Sequence, residues 1–142
     1  NWILEYTGNM SSIFKAYDVR GVYPDELNEQ NTVQISRALA RYFGRGAMIV
    51  IGHDARLSSP SLYKAVKKSL TVKGHLSHVI DACLMTTPML YFLVNDLKAD
   101  GGIMVTASHN PKEYNGLKIV KKGARPISGM QVESIMKKYK HV

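Results

Sequence analysis

The chain has 142 residues, of which 45% are hydrophobic and 21% are charged. This length and composition predict one globular domain and exclude a disordered or fibrous chain. Nineteen lysines and arginines against eleven acidic residues give a formal charge of +8, which favours an anionic partner without choosing between nucleic acid, lipid and a phosphorylated small molecule.

Three features of the sequence predict a cytoplasmic protein without a membrane partner. The single cysteine, Cys83, cannot form an internal disulfide. No apolar run approaches the roughly 20 residues of a membrane span. Residues 1–9 lack the basic and apolar regions of a secretory signal. We interpret residues 1–9 as an added or leader segment, followed by a domain over residues 10–142.

The first predicted elements are a helix and a buried strand. Apolar residues recur at helical spacing between Asn28 and Phe43, which predicts an amphipathic helix that begins at Asn28 and stops at Gly44. The apolar run 47–51 is short, continuous and bounded by glycines. It predicts a central parallel strand that is covered on both faces.

Two further helices are predicted to begin at a hydroxyl residue followed by proline. Ser59-Pro60 starts a helix that ends near Gly74, and Thr87-Pro88 starts a helix that ends near Asn95. Four apolar or weakly polar side chains close to the third helix are expected to be buried: Cys83, Met85, Met89 and Phe92.

The remaining elements complete an α/β fold. Strands are predicted at 75–81 and 102–105, and a basic helix begins near Ser128. Strands that alternate with helices favour parallel pairing through right-handed crossovers. The segment 116–120 follows a strand after a short loop, so it is expected to return antiparallel. These elements predict a three-layer α/β/α sandwich with a mixed, mainly parallel sheet.

Polar loops follow the predicted strands, and ligands of open α/β sheets collect at the carboxyl ends of the strands. The most informative loop is Thr106–Pro111, directly after strand 102–105. Ser108 can present an exposed hydroxyl there beside His109, a proton carrier near neutral pH. The returning strand would place Lys118 opposite, where its ammonium group can neutralise a phosphate on Ser108.

Other interpretations of the chain remain open on these residues alone. Ser, Asn and Pro are ordinary turn formers, so the loop can also be a simple turn. A Ser-His-Asp hydrolase is disfavoured because adjacent serine and histidine rarely adopt triad geometry. No glycine pattern of a nucleotide-binding loop follows a strand. A nucleic-acid-binding module would explain the charge, but the charge is scattered and no RNP-type strand is present, so we expect no nucleic-acid partner.

Two motifs resemble one enzyme family. The segment Thr106–Pro111 resembles the phosphoserine loop of the α-D-phosphohexomutases. The segment Ile13–Gly21 resembles the opening motif of the phosphomannomutase/phosphoglucomutase branch, rather than the Phe-Gly-Thr opening usual in phosphoglucosamine mutases. Tyr114–Lys118 and Thr87-Pro88 resemble two further segments of the family. A phosphoglucosamine mutase domain is the alternative within this resemblance.

One position departs from the family pattern. The family usually has Gly-Arg-Asp-x-Arg where this chain has His53 in place of the first arginine. Asp54 and Arg56 match the pattern. We therefore expect a structural ion pair between these two residues and no loss of function.

The resemblance implies a four-domain enzyme that moves phosphate between C1 and C6 of a glucose or mannose phosphate. A hexose 1,6-bisphosphate is its intermediate and activator. Ser108 would give and receive the phosphoryl group, and its phosphate would ligate Mg²⁺ together with aspartates of a second domain. This chain would be the first domain, with the C-terminal domains of the polypeptide as missing partners. Alone it is expected to be inactive and to bind Mg²⁺ weakly or not at all.

The resemblance also assigns roles to side chains. Ser108, His109, Lys118 and Arg20 are the expected catalytic residues, with His109 and Lys118 in proton transfer and charge stabilisation. The expected contacts to the hexose phosphate come from four residues: Tyr17, Arg20, Asn110 and Lys118.

Overall fold

A computed structural model describes residues 10–72 and 77–139, in which strands alternate with helices. The strands are β1 (Val19–Val22), β2 (Met48–His53), β3 (His78–Leu84), β4 (Gly101–Val105), β5 (Tyr114–Lys121) and β6 (Arg125–Ile127). The helices are α1 (Glu29–Phe43), α2 (Ser59–Leu70), α3 (Thr87–Asp96) and α4 (Gly129–Tyr139). Every predicted helix is present, and Asn28 caps α1 as predicted. The interpretation of residues 1–9, and the first part of the strand predicted at 75–81, lie outside the described residues.

The strands form one mixed sheet in the order β1-β5-β4-β2-β3, with β6 beside β5. β2 is parallel to both β3 and β4, whereas β5 is antiparallel to β4, β1 and β6. The predicted mixed sheet, the parallel pairing of β2 and the antiparallel return of β5 are confirmed, although β2 lies next to the edge strand β3 and not at the centre of the sheet. Contrary to the prediction, the sheet is not mainly parallel, because only two of the five pairings between the described strands are parallel. The difference comes from β1 and β6, which the sequence pattern did not predict and which both pair antiparallel with β5.

Helices cover both faces of this sheet, which confirms the three-layer α/β/α sandwich. α1, α2 and α4 pack with Ile49 and Ile51 of β2 on one face. α3 packs with Val50 on the other face. Successive side chains of a strand point to opposite faces, so the apolar run of β2 supplies both layers.

Two helix starts differ from the prediction by one residue. α2 begins at Ser59, so its cap position is Ser58, whose side chain makes no capping hydrogen bond. The Ser59 hydroxyl instead donates to Asp54 Oδ1 at 2.6 Å. In α3 the capping side chain is Thr86, one residue before the predicted cap. Proline at the second position of each helix explains why the pattern was found but displaced by one residue.

The outer side of α3 is apolar but exposed, which corrects an expectation. Met85 is buried, whereas Met89 and Phe92 are 54% and 66% exposed, and Cys83 is also exposed. Leu90 occupies the side of α3 that faces the sheet, so the two exposed side chains point away from it. The sequence pattern did not separate the two sides because both are apolar.

Candidate active site

The candidate active site lies where the loop that follows β4 meets β5 and the segment that precedes β1. A cavity of about 350 Å³ opens there. Side chains from three segments line it: Lys15, Ala16, Tyr17, Asp18, Arg20, Ser108, His109 and Lys118. The register of the sheet explains this meeting, because Val19 of β1 pairs with Leu117 of β5 and β5 also pairs with β4.

Ser108 lies in a tight turn with its side chain exposed. Its φ of +56° is in the left-handed region, which residues other than glycine seldom adopt. The Ser108 amide donates to Thr106 Oγ1 at 2.9 Å, and the Asn110 amide donates to Ala107 O at 3.1 Å. His109 Nδ1 lies 3.3 Å from Ser108 Oγ. The segment is therefore both a turn and a support that presents the Ser108 hydroxyl at the cavity.

A buried carboxylate, Asp18, holds two cations beside Ser108. The Asp18 side chain is 4% exposed, and its Oδ2 pairs with an Arg20 Nη2 group and with Lys118 Nζ, the latter at 3.2 Å. Arg20 Nη1 also donates to Asn110 Oδ1 at 2.5 Å, which links β1 to the Ser108 loop. Arg20 Nε is buried and has no hydrogen-bond partner among the described residues. This arrangement offers the positive charge of two side chains to an anionic ligand.

The structure brings most of the predicted site residues together. Ser108, His109, Lys118, Arg20 and Tyr17 line the cavity, and Tyr17 stands at its rim with 81% of its surface exposed. Asn110 does not line the cavity but contacts Arg20.

Sequence reasoning missed Asp18 and Lys15 as cavity-lining residues. One signal could have indicated Asp18, because two cations predicted at one site call for a nearby carboxylate. The partner of Lys118 could not be chosen without knowing that β1 pairs with β5.

The predicted ion pair between Asp54 and Arg56 is confirmed, with Arg56 Nε 3.2 Å from Asp54 Oδ2. Burial raises the pKa of the Asp54 carboxyl. Hydrogen bonds from Ser59, Thr106 and the Arg56 amide, together with the Arg56 charge, lower the pKa by more than burial raises it. The net result is an Asp54 pKa below its ordinary value. Asp54 is therefore a stable anion beneath the Ser108 loop.

His53, the departure from the family pattern, occupies a structural position. Its ring packs against the Tyr63 ring with centroids 4.7 Å apart. His53 Nδ1 lies 2.8 Å from the backbone oxygen of Asp54. The ion pair between Asp54 and Arg56 forms although His53 stands in place of the family's arginine.

The described residues do not form a magnesium site by themselves. Within residues 10–72 and 77–139, no three His, Cys, Asp or Glu side chains gather as a ligand group. The carboxylate that lines the cavity, Asp18, is already paired with Arg20 and Lys118. Mg²⁺ requires an octahedral set of oxygen ligands, of which this part of the chain could offer a phosphate on Ser108.

Comparison with known proteins places the chain in a family. The model for "Phosphoglucomutase/phosphomannomutase, alpha/beta/alpha domain I" matches residues 11–142. The chain belongs to the phosphoglucomutase/phosphomannomutase family. The resemblance recognised in the Ser108 loop and in Ile13–Gly21 is thereby confirmed for the family as a whole.

Two relatives in this phosphoglucomutase/phosphomannomutase family are considerably longer than the chain. It is 52% identical over 115 residues to "Phosphohexose mutases" of Xanthomonas campestris pv. campestris, which covers 81% of this chain and 25% of that protein. It is 47% identical over 121 residues to "Phosphomannomutase" of Salmonella montevideo, which covers 85% of this chain and 26% of that protein. The chain thus spans about a quarter of the length of these relatives.

A solved structure of the family has the same fold. The crystal structure of a phosphoglucomutase/phosphomannomutase family protein from Burkholderia thailandensis aligns with a TM-score of 0.77 at 37% identity. The alignment covers 89% of this chain and 29% of that one. Across the described parts of the present chain, no helix is long and apolar enough to cross a membrane.

Proposed function

We propose that this chain is the phosphoserine domain of a phosphohexomutase, in which Ser108 gives and receives the phosphoryl group. Phosphate would move between C1 and C6 of a glucose or mannose phosphate through a bisphosphate. The supporting observation is that the Ser108 hydroxyl opens on a cavity flanked by Arg20 and Lys118. A volume of about 350 Å³ is sufficient for a small sugar phosphate.

Arg20 and Lys118 are suited to stabilise the transferring phosphoryl group. Phosphoryl transfer depends mainly on positioning and on neutralising the equatorial oxygens. A phosphoserine brings roughly −1.5 to −2 charges, and the two cations stand beside the serine that would carry it. Asp18 keeps both at the cavity wall, so less rearrangement is needed when the charge develops.

Proton transfer requires a group near the serine oxygen. When the Ser108 hydroxyl attacks the phosphorus of a hexose bisphosphate, the new O–P bond forms as the sugar O–P bond breaks. The serine proton must leave and the released sugar oxygen must gain one. His109, with Nδ1 at 3.3 Å from Ser108 Oγ, and Lys118 are the groups we assign to these transfers.

The remaining parts of the proposal concern what lies outside this chain. A phosphate on Ser108 would supply one oxygen ligand to Mg²⁺, and the carboxylates would come from further domains, since the aligned region covers only 25% and 26% of the two relatives. The isolated chain should then show no mutase turnover. A cytoplasmic location also remains a prediction.

The test is turnover of the natural polypeptide that contains this domain, with glucose 1-phosphate or mannose 1-phosphate in a coupled assay. Ser108→Ala should lower kcat by several orders of magnitude, as expected for loss of a nucleophile. Its free energy of unfolding should change by no more than about 0.5 kcal/mol, because the residue is exposed. Ser134→Ala, at an exposed serine of α4, is the matched control and should retain turnover. Normal turnover of Ser108→Ala would refute the proposal.

A further inference from the structure

Arg56 binds the backbone of the Ser108 loop through its whole guanidinium group. Its side chain is 13% exposed. Nη1 donates to the carbonyl oxygens of Pro111 (2.7 Å) and Tyr114 (3.1 Å). Nη2 donates to the carbonyl oxygens of Ser108 (2.8 Å) and Asn110 (2.7 Å). Nε donates to Asp54 Oδ2. An arginine has five N–H donors in a fixed plane. Each of the five therefore has a partner.

Asp54 anchors this arginine and the loop at the same time. Its Oδ2 accepts from Thr106 Oγ1 at 2.7 Å as well as from Arg56 Nε. Its Oδ1 accepts from the Ser59 hydroxyl at 2.6 Å and from the Arg56 amide at 3.1 Å. Thr106 Oγ1 in turn accepts the Ser108 amide. The serine is therefore fixed on its amide side through Thr106 and on its carbonyl side through Arg56.

The Ser108 loop depends on such support. The Ser108 side chain is exposed, so packing against the core cannot hold it. Its φ of +56° is unfavourable for a residue with a Cβ, and such a conformation persists only where the surroundings enforce it. Four backbone carbonyls, two of them part-buried, are directed at the Arg56 guanidinium. Arg56 supplies their donors without itself lining the cavity.

We propose that Arg56, held by Asp54, is a positioning residue that fixes Ser108 for phosphoryl transfer. The inference rests on the proposed function of Ser108. Lysine cannot replace this arginine, because a compact ammonium group with three donors cannot reach four carbonyls and a carboxylate in one plane. Loss of the contacts should therefore displace the serine, while Asp18 keeps Arg20 and Lys118 at the cavity wall.

The first test compares Arg56→Lys with Arg37→Lys, a control at an exposed position of α1. In the 142-residue chain, hydrogen exchange of the Ser108 and Asn110 amides should accelerate at least tenfold in Arg56→Lys, with the α1 amides unchanged. In the natural polypeptide, kcat should fall about 100-fold, the cost of a displacement near 1 Å. KM should change less than about threefold, since the substrate-facing cations remain. Native exchange and native kcat in Arg56→Lys would overturn the inference.

A second pair of variants decides the question if Arg56→Lys fails to fold. Thr106→Val removes the hydroxyl that joins Asp54 to the Ser108 amide, and Thr106→Ser keeps it. We expect Thr106→Val to lower kcat at least tenfold and Thr106→Ser to restore most of it. Equal kcat in the two variants would overturn the inference.

Normal turnover of Ser108→Ala would instead refute the proposed function. An inactive Ser108→Ala variant together with a fully active Arg56→Lys variant would refute only the role of Arg56.

Discussion

Two aspartate–arginine pairs stand at the same edge of the sheet and have different surroundings. Arg56, paired with Asp54, directs its remaining donors to backbone carbonyls. Arg20, paired with Asp18, lines the cavity, and its Nε has no partner within the described part of the chain. The same two residue types thus support the Ser108 loop in one pair and line the cavity with positive charge in the other. The groups that surround each guanidinium determine which of these roles the arginine has.

The two aspartates also differ in the number of cations that share them. Asp54 is shared between one cation and two hydroxyl donors. Asp18 is shared between two cations, Arg20 and Lys118, which leaves the wall of the cavity with excess positive charge. A phosphate ester can supply the missing negative charge. The comparison therefore predicts that the first pair contributes mainly to stability and the second mainly to ligand binding.

The largest expected effect separates the two pairs by stability. Asp54→Asn should lower the free energy of unfolding by about 3 kcal/mol, because it leaves a mostly buried Arg56 without its counter-charge. Asp18→Asn should lower it by less, because Arg20 and Lys118, which are 18% and 23% exposed, border the cavity, where water can partly solvate them. Urea denaturation at neutral pH measures both. Equal losses, or a larger loss for Asp18→Asn, would contradict the comparison.

A smaller effect is expected at Gly129, which supports the turn that contains Asp18. A Cβ at Gly129 would lie 2.2 Å from the backbone oxygen of Lys15 and 2.5 Å from that of Asp18. Backbone atoms cannot yield as a flexible side chain can, so Gly129→Ala should cost about 2 kcal/mol. Met130→Ala, at the adjacent and 71% exposed position, is the control and should stay within about 0.5 kcal/mol of the wild type. A Gly129→Ala chain as stable as this control would show that the close approach is unimportant.

The smallest expected effect is the pH dependence contributed by Asp54. Its pKa in the folded chain lies below the ordinary value of 3.8, so its contribution to stability is complete above that value and is lost as the pH falls through the lower folded pKa. The difference in stability between the wild type and Asp54→Asn should therefore narrow below about pH 4. Urea midpoints of both proteins between neutral and acidic pH measure this. A difference that grows toward acid would mean that the sign of the shift is wrong.

Periodicity and capping residues were sufficient to predict the helices and the longer strands. The run 47–51 and the stripe after Asn28 are long enough for their period to be recognised. β1 and β6 have four and three residues, which is too short for a period. The missed β1 matters most, since its pairing with β5 places Asp18 beside Lys118.

The site was predictable only in part, because several of its contacts join residues that are far apart in the sequence. The contiguous loop around Ser108 was visible in the sequence, and the ion pair of Asp54 with Arg56 was expected because both residues match the family pattern. The four carbonyls that Arg56 binds could not be predicted, because every residue has a carbonyl and backbone acceptors leave no trace in residue type. Long-range contacts of this kind require the fold.

The most direct test of the account is to locate the phosphate. The natural polypeptide containing this domain is incubated with glucose 1,6-bisphosphate, digested, and mapped by mass spectrometry beside its Ser108→Ala variant. The account predicts phosphate on Ser108 in the wild type and none on the same peptide of the variant. Phosphate on Thr106 or at another site, or a Ser108→Ala variant that is phosphorylated as fully as the wild type, would contradict it.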